Sequence, residues 1–198
     1  MKLVFGLGNP GTQYARTLHN AGFLALDVMQ KRLSLDRFKK RRGAMTTEWR
    51  HYGERAILIK PQTFMNLSGR CVLEFASFYK VEDPKDMIVI YDDIDLDAGA
   101  VRVRDHGSGG THNGMRDIIK TIGTQDFLRV RIGIDAPPAG WDLVDYVLST
   151  PQGMAWQKIE GGIEKGAEAA ICLLEEGLEA AQQRYNNKGR LTKEMEEE

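Results

Sequence analysis

Leu3-Val4-Phe5 runs straight into Gly6-Leu7-Gly8-Asn9-Pro10-Gly11, and apolar spacing of three and four then predicts a helix over 21–33. Strand, glycine turn and helix in that order open an α/β layer fold, and they deliver the intervening loop to the carboxyl edge of a parallel sheet, where such folds place ligands. That loop carries Asn9, Tyr14, His19 and Asn20, a set suited to hydrogen bonding and proton transfer.

Gly6, Gly8 and Gly11 also match the dinucleotide fingerprint G-x-G-x-x-G letter for letter. Their surroundings argue against that use. Pro10 removes a backbone N–H that would face a pyrophosphate. The acid expected about 20 residues on, at the end of a second strand, is absent: Asp27 has the spacing but falls between Leu26 and Val28 within the helix, and Lys31-Arg32-Leu33-Ser34-Leu35-Asp36 is no apolar strand.

Further strand candidates are 44–52, 55–60, 87–92, 100–104 and 127–134, and further helices are expected at 67–79, 114–122 and about 152–184. Gly53 between 44–52 and 55–60 reads as a hairpin turn, so the expected fold is a single α/β domain over 1–185: a mixed, mostly parallel twisted sheet flanked by helices, phosphorylase/hydrolase-like. With 198 residues, 42% of them hydrophobic, the chain can fill one core. No apolar stretch reaches membrane-spanning length, and Met1-Lys2 leads directly into a strand rather than a signal peptide. Cys71 and Cys172 lie far apart in helical patterns and match no metal or redox spacing, as expected of buried thiols in a cytoplasmic protein. Residues 186–198 read as a polar, acidic, frayed tail.

The net charge of −1 conceals an asymmetry, since residues 1–150 hold 21 Lys+Arg against 18 Asp+Glu while 151–198 hold 6 against 10. Between Lys31 and Arg42 seven basic residues face one acid, Asp36, which reads either as a solvated loop or as the footprint of a polyanion.

Three further loops carry chemistry. Pro61 to Gly69 contains Met65 and Asn66, the latter either capping the next helix or pointing an amide into the cleft. Asp92-Asp93-Ile94-Asp95-Leu96-Asp97 supplies acids, one of which could orient a histidine; solvated turn residues or a metal site are the other readings. Gly107-Ser108-Gly109-Gly110-Thr111-His112-Asn113-Gly114 lets backbone N–H groups approach a ligand closely. Ser108 is a poor nucleophile candidate, because His106 stands where G-x-S-x-G needs its first glycine. Water activated by a histidine is then the natural nucleophile.

These motifs resemble the bacterial-type peptidyl-tRNA hydrolases along nearly the whole chain. The match lies in Gly6 to Gly11 with Tyr14, Thr17, His19, Asn20 and Gly22; in Thr63 to Asn66 with Ser68-Gly69; in Asp92 with Asp95-Leu96; and in His112-Asn113-Gly114. The resemblance implies hydrolysis of the ester joining a peptide to the 3′ ribose of tRNA, without metal or cofactor, by a protein expected to be monomeric and free of membrane. It implies His19 as general base and Asp92 as its orienting acid. Asn9, Asn66 and Asn113 would hold the peptide and scissile carbonyl, and Tyr14, Met65 and His112 would shape the cleft. It further implies that Arg104 and Arg131, with Arg102 beside them, clamp the 5′ phosphate of tRNA, a task suited to the guanidinium fork. Strand alternation alone offers another account, in which Arg102 and Arg104 on one strand, and Arg129 and Arg131 on the other, are exposed polar positions.

Three residues depart from the family pattern: Leu18 replaces an Arg, Ser108 a Gly, and Thr111 the Gly before His112. A β-branched Thr is expensive at positive φ, so the glycine loop is expected to sit differently. The competing class is a non-catalytic RNA-binding member of the same fold; a nucleotide-dependent oxidoreductase is a third.

Overall fold

The computed structural model describes residues 1–186. In chain order the elements are β1 (Lys2–Gly6), α1 (Ala21–Arg32), β2 (Lys39–Arg41), β3 (Ala44–His51), β4 (Glu54–Pro61), α2 (Ser68–Tyr79), β5 (Met87–Asp93), β6 (Val101–Arg104), α3 (Asn113–Ile122), β7 (Leu128–Gly133), α4 (Leu143–Val147), α5 (Gly153–Glu175) and α6 (Leu178–Tyr185). The seven strands form one sheet in the order β2-β3-β4-β1-β5-β7-β6. β4, β1, β5 and β7 are parallel neighbours, while β3 opposes both β2 and β4, and β6 opposes β7.

Apolar side chains on both faces of the central strands require cover on both sides. Val4, Leu58, Ile88 and Ile90 pack with α1 and α5, whereas Leu3, Phe5, Val89 and Tyr91 pack with Val72 and Phe75 of α2 and Met115 and Ile118 of α3. Alternation places Arg129 and Arg131 of β7, and Arg102 and Arg104 of β6, on the α2/α3 side. Register sets Arg102 opposite Arg131 and Arg104 opposite Arg129, so four guanidiniums share one face of the sheet edge.

The first glycines are packing devices. A Cβ on Gly6 would strike the Gly22 carbonyl and Leu26, and one on Gly22 would strike backbone atoms of Leu7 and Ile90. The glycines therefore let α1 press onto the sheet, while α1 itself begins ten residues beyond Gly11, so the turn does not run directly into its helix as a dinucleotide loop does.

Several boundaries depart from the sequence reading. The hairpin turn is as expected, with Tyr52 and Gly53 both at positive φ. The basic segment, however, is not one loop: Arg32 ends α1, and Lys39–Arg41 form an exposed edge strand. The long carboxyl-terminal helix breaks at Gly177, at φ 88, into α5 and α6. The short α4, capped by the Asp142 carboxylate, had no periodicity long enough to detect. The expected tail lies outside the described residues except Asn186, which is not frayed: its Oδ1 accepts from the Val103 N–H and its Nδ2 donates to the Val103 carbonyl.

Gly22→Ala should cost about 1–3 kcal/mol of stability through overpacking against Leu7 and Ile90. Gly161→Ala in α5, where an added Cβ meets nothing within 4 Å, should instead gain roughly 0.5–1 kcal/mol. Urea denaturation midpoints of the two variants check both signs.

Candidate active site

The loop after β1 is fixed by a reciprocal pair of asparagines. Asn9 N–H donates to Asn20 Oδ1 at 2.8 Å, and Asn20 Nδ2 donates back to the Asn9 carbonyl at 3.0 Å. Asn9 Oδ1 in turn accepts the Met65 N–H at 2.8 Å. That bond decides how the Asn9 amide is turned, leaving Nδ2 with no acceptor among the described residues. Asn66 sits exposed on the turn that Asn9 anchors and caps nothing, for the α2 N-cap is Leu67, without a side-chain bond. Met65 is buried beside it, its sulfur in the space that the missing Gly114 side chain leaves free.

His19 lies on the 3-10 turn Leu18–Asn20 just before α1, and Asp92 is near the end of β5. His19 Nδ1 is 3.0 and 2.9 Å from the two Asp92 oxygens. His112, the N-cap of α3, accepts the Met115 N–H at Nδ1, so its proton resides on Nε2 and is donated to Asp92 Oδ1 at 3.1 Å. The rings of His19 and His112 are 4.7 Å apart, centroid to centroid. Burial of Asp92 disfavours its charge, yet the two histidines outweigh burial and hold its pKa below the usual carboxylate range. For His19 burial likewise opposes the charged ring, but the Asp92 charge and hydrogen bond together raise its pKa above that of an ordinary imidazole. An ionised Asp92 assigns the His19 proton to Nδ1, which leaves the Nε2 lone pair unengaged among the described residues. A ring held in this way can accept a proton at Nε2.

One ligand atom each from His19, Asp92 and His112 lies within 4.8 Å of the others, close enough to surround a cation. The proton pattern fits a hydrogen-bonded triad better. The His112 nitrogen facing the cluster is its protonated one, because the other is committed to Met115.

A cleft of about 610 Å³ extends from His19 and His112 along the glycine loop to Arg104 and Arg131. Because β6 runs against β7, the loop leaves β6 at the end of the sheet remote from Asp92 and travels back to His112. Arg104 thus lies two strands and three residues from Asp92, roughly 14 Å by strand spacing and rise. Arg104 is exposed and makes no ion pair among the described residues, whereas Arg131 Nε is held by Asp93 Oδ2 at 2.6 Å. Asn113 is exposed at the start of α3, and Tyr14 is half-buried in the Thr12–Tyr14 turn.

The matching family is named by similarity to known proteins. A profile described as peptidyl-tRNA hydrolase matches residues 3–194. The chain belongs to the peptidyl-tRNA hydrolase family. A peptidyl-tRNA hydrolase of Desulfitobacterium hafniense is 47% identical over 186 residues, covering 94% of this chain and all of the relative, and one from Chloroflexus aurantiacus is 45% identical over 189 residues, covering 94% and 99%. The crystal structure of the Acinetobacter baumannii peptidyl-tRNA hydrolase superposes with a TM-score of 0.86 at 30% identity, covering 94% of each chain.

As a peptidyl-tRNA hydrolase, this chain absorbs its three departures without distortion. Leu18 is buried and its N–H is bonded to the Ser149 carbonyl. The positive-φ positions of the glycine loop are Gly107 and Gly110, so neither Ser108 nor Thr111 is strained. The backbone cost expected at Thr111 is therefore not incurred. Sequence reasoning also missed three contributors. Asp93 orients Arg131, Arg116 Nε donates to the Gly110 carbonyl, and Arg129 is buried rather than an exposed strand residue. Alternation put Arg129 on the correct face but carried no signal that the loop would cover it.

In a ring-proton NMR titration, His19 should titrate above the ordinary imidazole range. Asp92→Asn should move it below that range, since burial then acts unopposed. An unchanged midpoint in the variant would show that Asp92 does not govern the base.

Proposed function

We propose that this chain hydrolyses the ester between a peptide and the 3′ ribose of tRNA, with His19 as general base and no metal in the step. The observation that carries the reading is His19 itself: its Nδ1 is committed to the buried Asp92, while Nε2 is unengaged on a cleft that His19 helps to line. Nε2 removes a proton from water as the water oxygen bonds to the ester carbonyl carbon. The carbonyl oxygen becomes a tetrahedral oxyanion, and Asn9 Nδ2, whose orientation the Met65 N–H fixes, is the best-held amide to meet it. Collapse breaks the bond to the ribose oxygen. The His19 imidazolium returns its proton to that oxygen, freeing peptide acid and tRNA hydroxyl.

The sheet suggests how the substrate lies. The Asn66 turn follows β4, His19 follows β1, Asp92 ends β5, and the arginines occupy β7 and β6. The peptide would rest near Met65 and Asn66, the ester at His19 with Asn113 and His112 alongside, and the terminal phosphate at Arg104 and the Arg131 fork. Tyr14 flanks the β1 loop. A solely RNA-binding role gives no reason for the buried His19–Asp92 pair, whose desolvation is costly without a chemical use. No helix among the described residues is long and apolar enough to cross a membrane.

His19→Ala should lower kcat about 10²- to 10⁴-fold with tRNA affinity nearly unchanged. In the unmodified protein the rate should fall as pH drops through the raised His19 pKa, because the protonated ring cannot accept; Asp92→Asn should lower the plateau and move that limb to lower pH. Release of free peptide from purified peptidyl-tRNA is the assay, and wild-type turnover by His19→Ala would refute the mechanism.

Arg104→Ala should weaken binding of tRNA bearing a 5′ phosphate and flatten the dependence of log K on log salt by roughly 0.7–0.9. Arg131→Ala should do the same, though it also unpairs Asp93. Binding isotherms at several salt concentrations, repeated with tRNA lacking the 5′ phosphate, check this; unchanged slopes would place the phosphate elsewhere.

A further inference from the structure

Arg129 is a cation that the proposed chemistry does not use, and its position is expensive. Only 1% of it is exposed, its Nε has no hydrogen-bond partner, and it forms no salt bridge among the described residues. Like charges adjoin it, with Arg104 opposite on β6 and Arg131 two residues along β7. Its guanidinium instead clasps neutral carbonyls from two separate segments. One terminal nitrogen donates to Ser108 O at 2.7 Å; the other donates to Gly107 O and, at 3.0 Å, to Gln125 O. The fork lies over the Phe127 ring, 4.4 Å from its centroid. A buried charge satisfied by neutral acceptors is often matched or bettered in stability by an apolar side chain of similar volume, so stability alone does not account for it.

We infer that Arg129 is a positioning residue: it fixes the Gly107–Ser108 half of the glycine loop, and with it the path taken by the polyanionic end of the substrate. The inference rests on the hydrolase reading above. The two halves of the loop have separate hydrogen-bond anchors, with the Tyr91 ring between them, 5.1 Å from the His112 ring and beside the Arg129 guanidinium. The half nearest His19 is held by Arg116 Nε on Gly110 O at 2.6 Å, by His112 N–H on Gly109 O, and by His112 between Met115 and Asp92. Arg129 holds the other half, which leads from Arg104. Loss of the clasp should therefore disturb engagement of the tRNA body and spare the proton transfer at His19.

The test compares Arg129→Lys and Arg129→Met with the unmodified chain on two substrates: intact peptidyl-tRNA, and the same peptide esterified to a short single-stranded 3′ trinucleotide. A lysine keeps the charge but cannot reproduce the planar fork. Both variants should raise KM for the intact substrate roughly tenfold while kcat and the acid limb of the pH profile stay as in the parent. The trinucleotide ester should be cleaved with parental constants. Equal losses on both substrates, with a lowered Tm, would show a merely structural role and overturn the inference. Parental behaviour of Arg129→Lys beside an impaired Arg129→Met would assign the effect to charge and overturn it as well. Should both variants fail to fold, Gly107→Ala strains the clasp from the loop side, at φ 145 and with its Cβ 3.5 Å from the Arg129 fork. It should show the same selective rise in KM, and a parental KM would overturn the inference. If the unmodified chain cleaves neither ester, the hydrolase reading itself falls.

Discussion

Asp92 is 2% exposed, and its charge would be costly to hold there without the two imidazoles that donate to it. Much of the cleft is arranged to make that double donation possible. α1 must lie close enough to β1 and β5 for His19 to reach, which Gly6 and Gly22 permit. α3 must begin where His112 can give one nitrogen to its own helix and the other to the carboxylate. Each histidine is thereby held as a single tautomer. One ring is fully committed, and the other keeps one nitrogen for chemistry.

On the proposed reading, the sheet separates two demands that would interfere at one spot. A base must hold a proton well enough to take one from water, whereas recognition of a polyanion needs concentrated positive charge, which would lower the basicity of a nearby imidazole. Placing the arginines on β7 and β6 while Asp92 stands at the end of β5 keeps the charges apart. Asp93 partly shields the nearer one by pairing with Arg131.

Local sequence carried much of this. The turn after β1, the helix periods and the hairpin are short-range patterns, and the ordered motifs located His19, Asp92 and His112 before any geometry did. What stayed hidden depends on partners distant in sequence. Strand direction is one such property: Val101 to Arg104 reads alike whether it runs with or against β7, yet its reversal decides where the glycine loop starts. The amide orientation of Asn9 depends on Met65, 56 residues away. The burial of Arg129 depends on a loop that folds across it. The φ of Thr111 was hidden too, since the need for positive φ belongs to the loop's path, and in this chain it falls on Gly107 and Gly110.

Asn186 offers Val103 both an acceptor and a donor, as a residue of an adjoining strand would. It closes part of the β6 edge with one side chain, while the opposite edge is β2, whose three residues are all exposed bases. Open strand edges are where copies of a chain add to one another's sheets. Here one border is partly occupied by the molecule's own amide and the other repels its like. Among the described residues, each border thus carries one of the devices by which sheets blunt an edge: a side chain set into the ladder at Val103, and a row of basic side chains along β2.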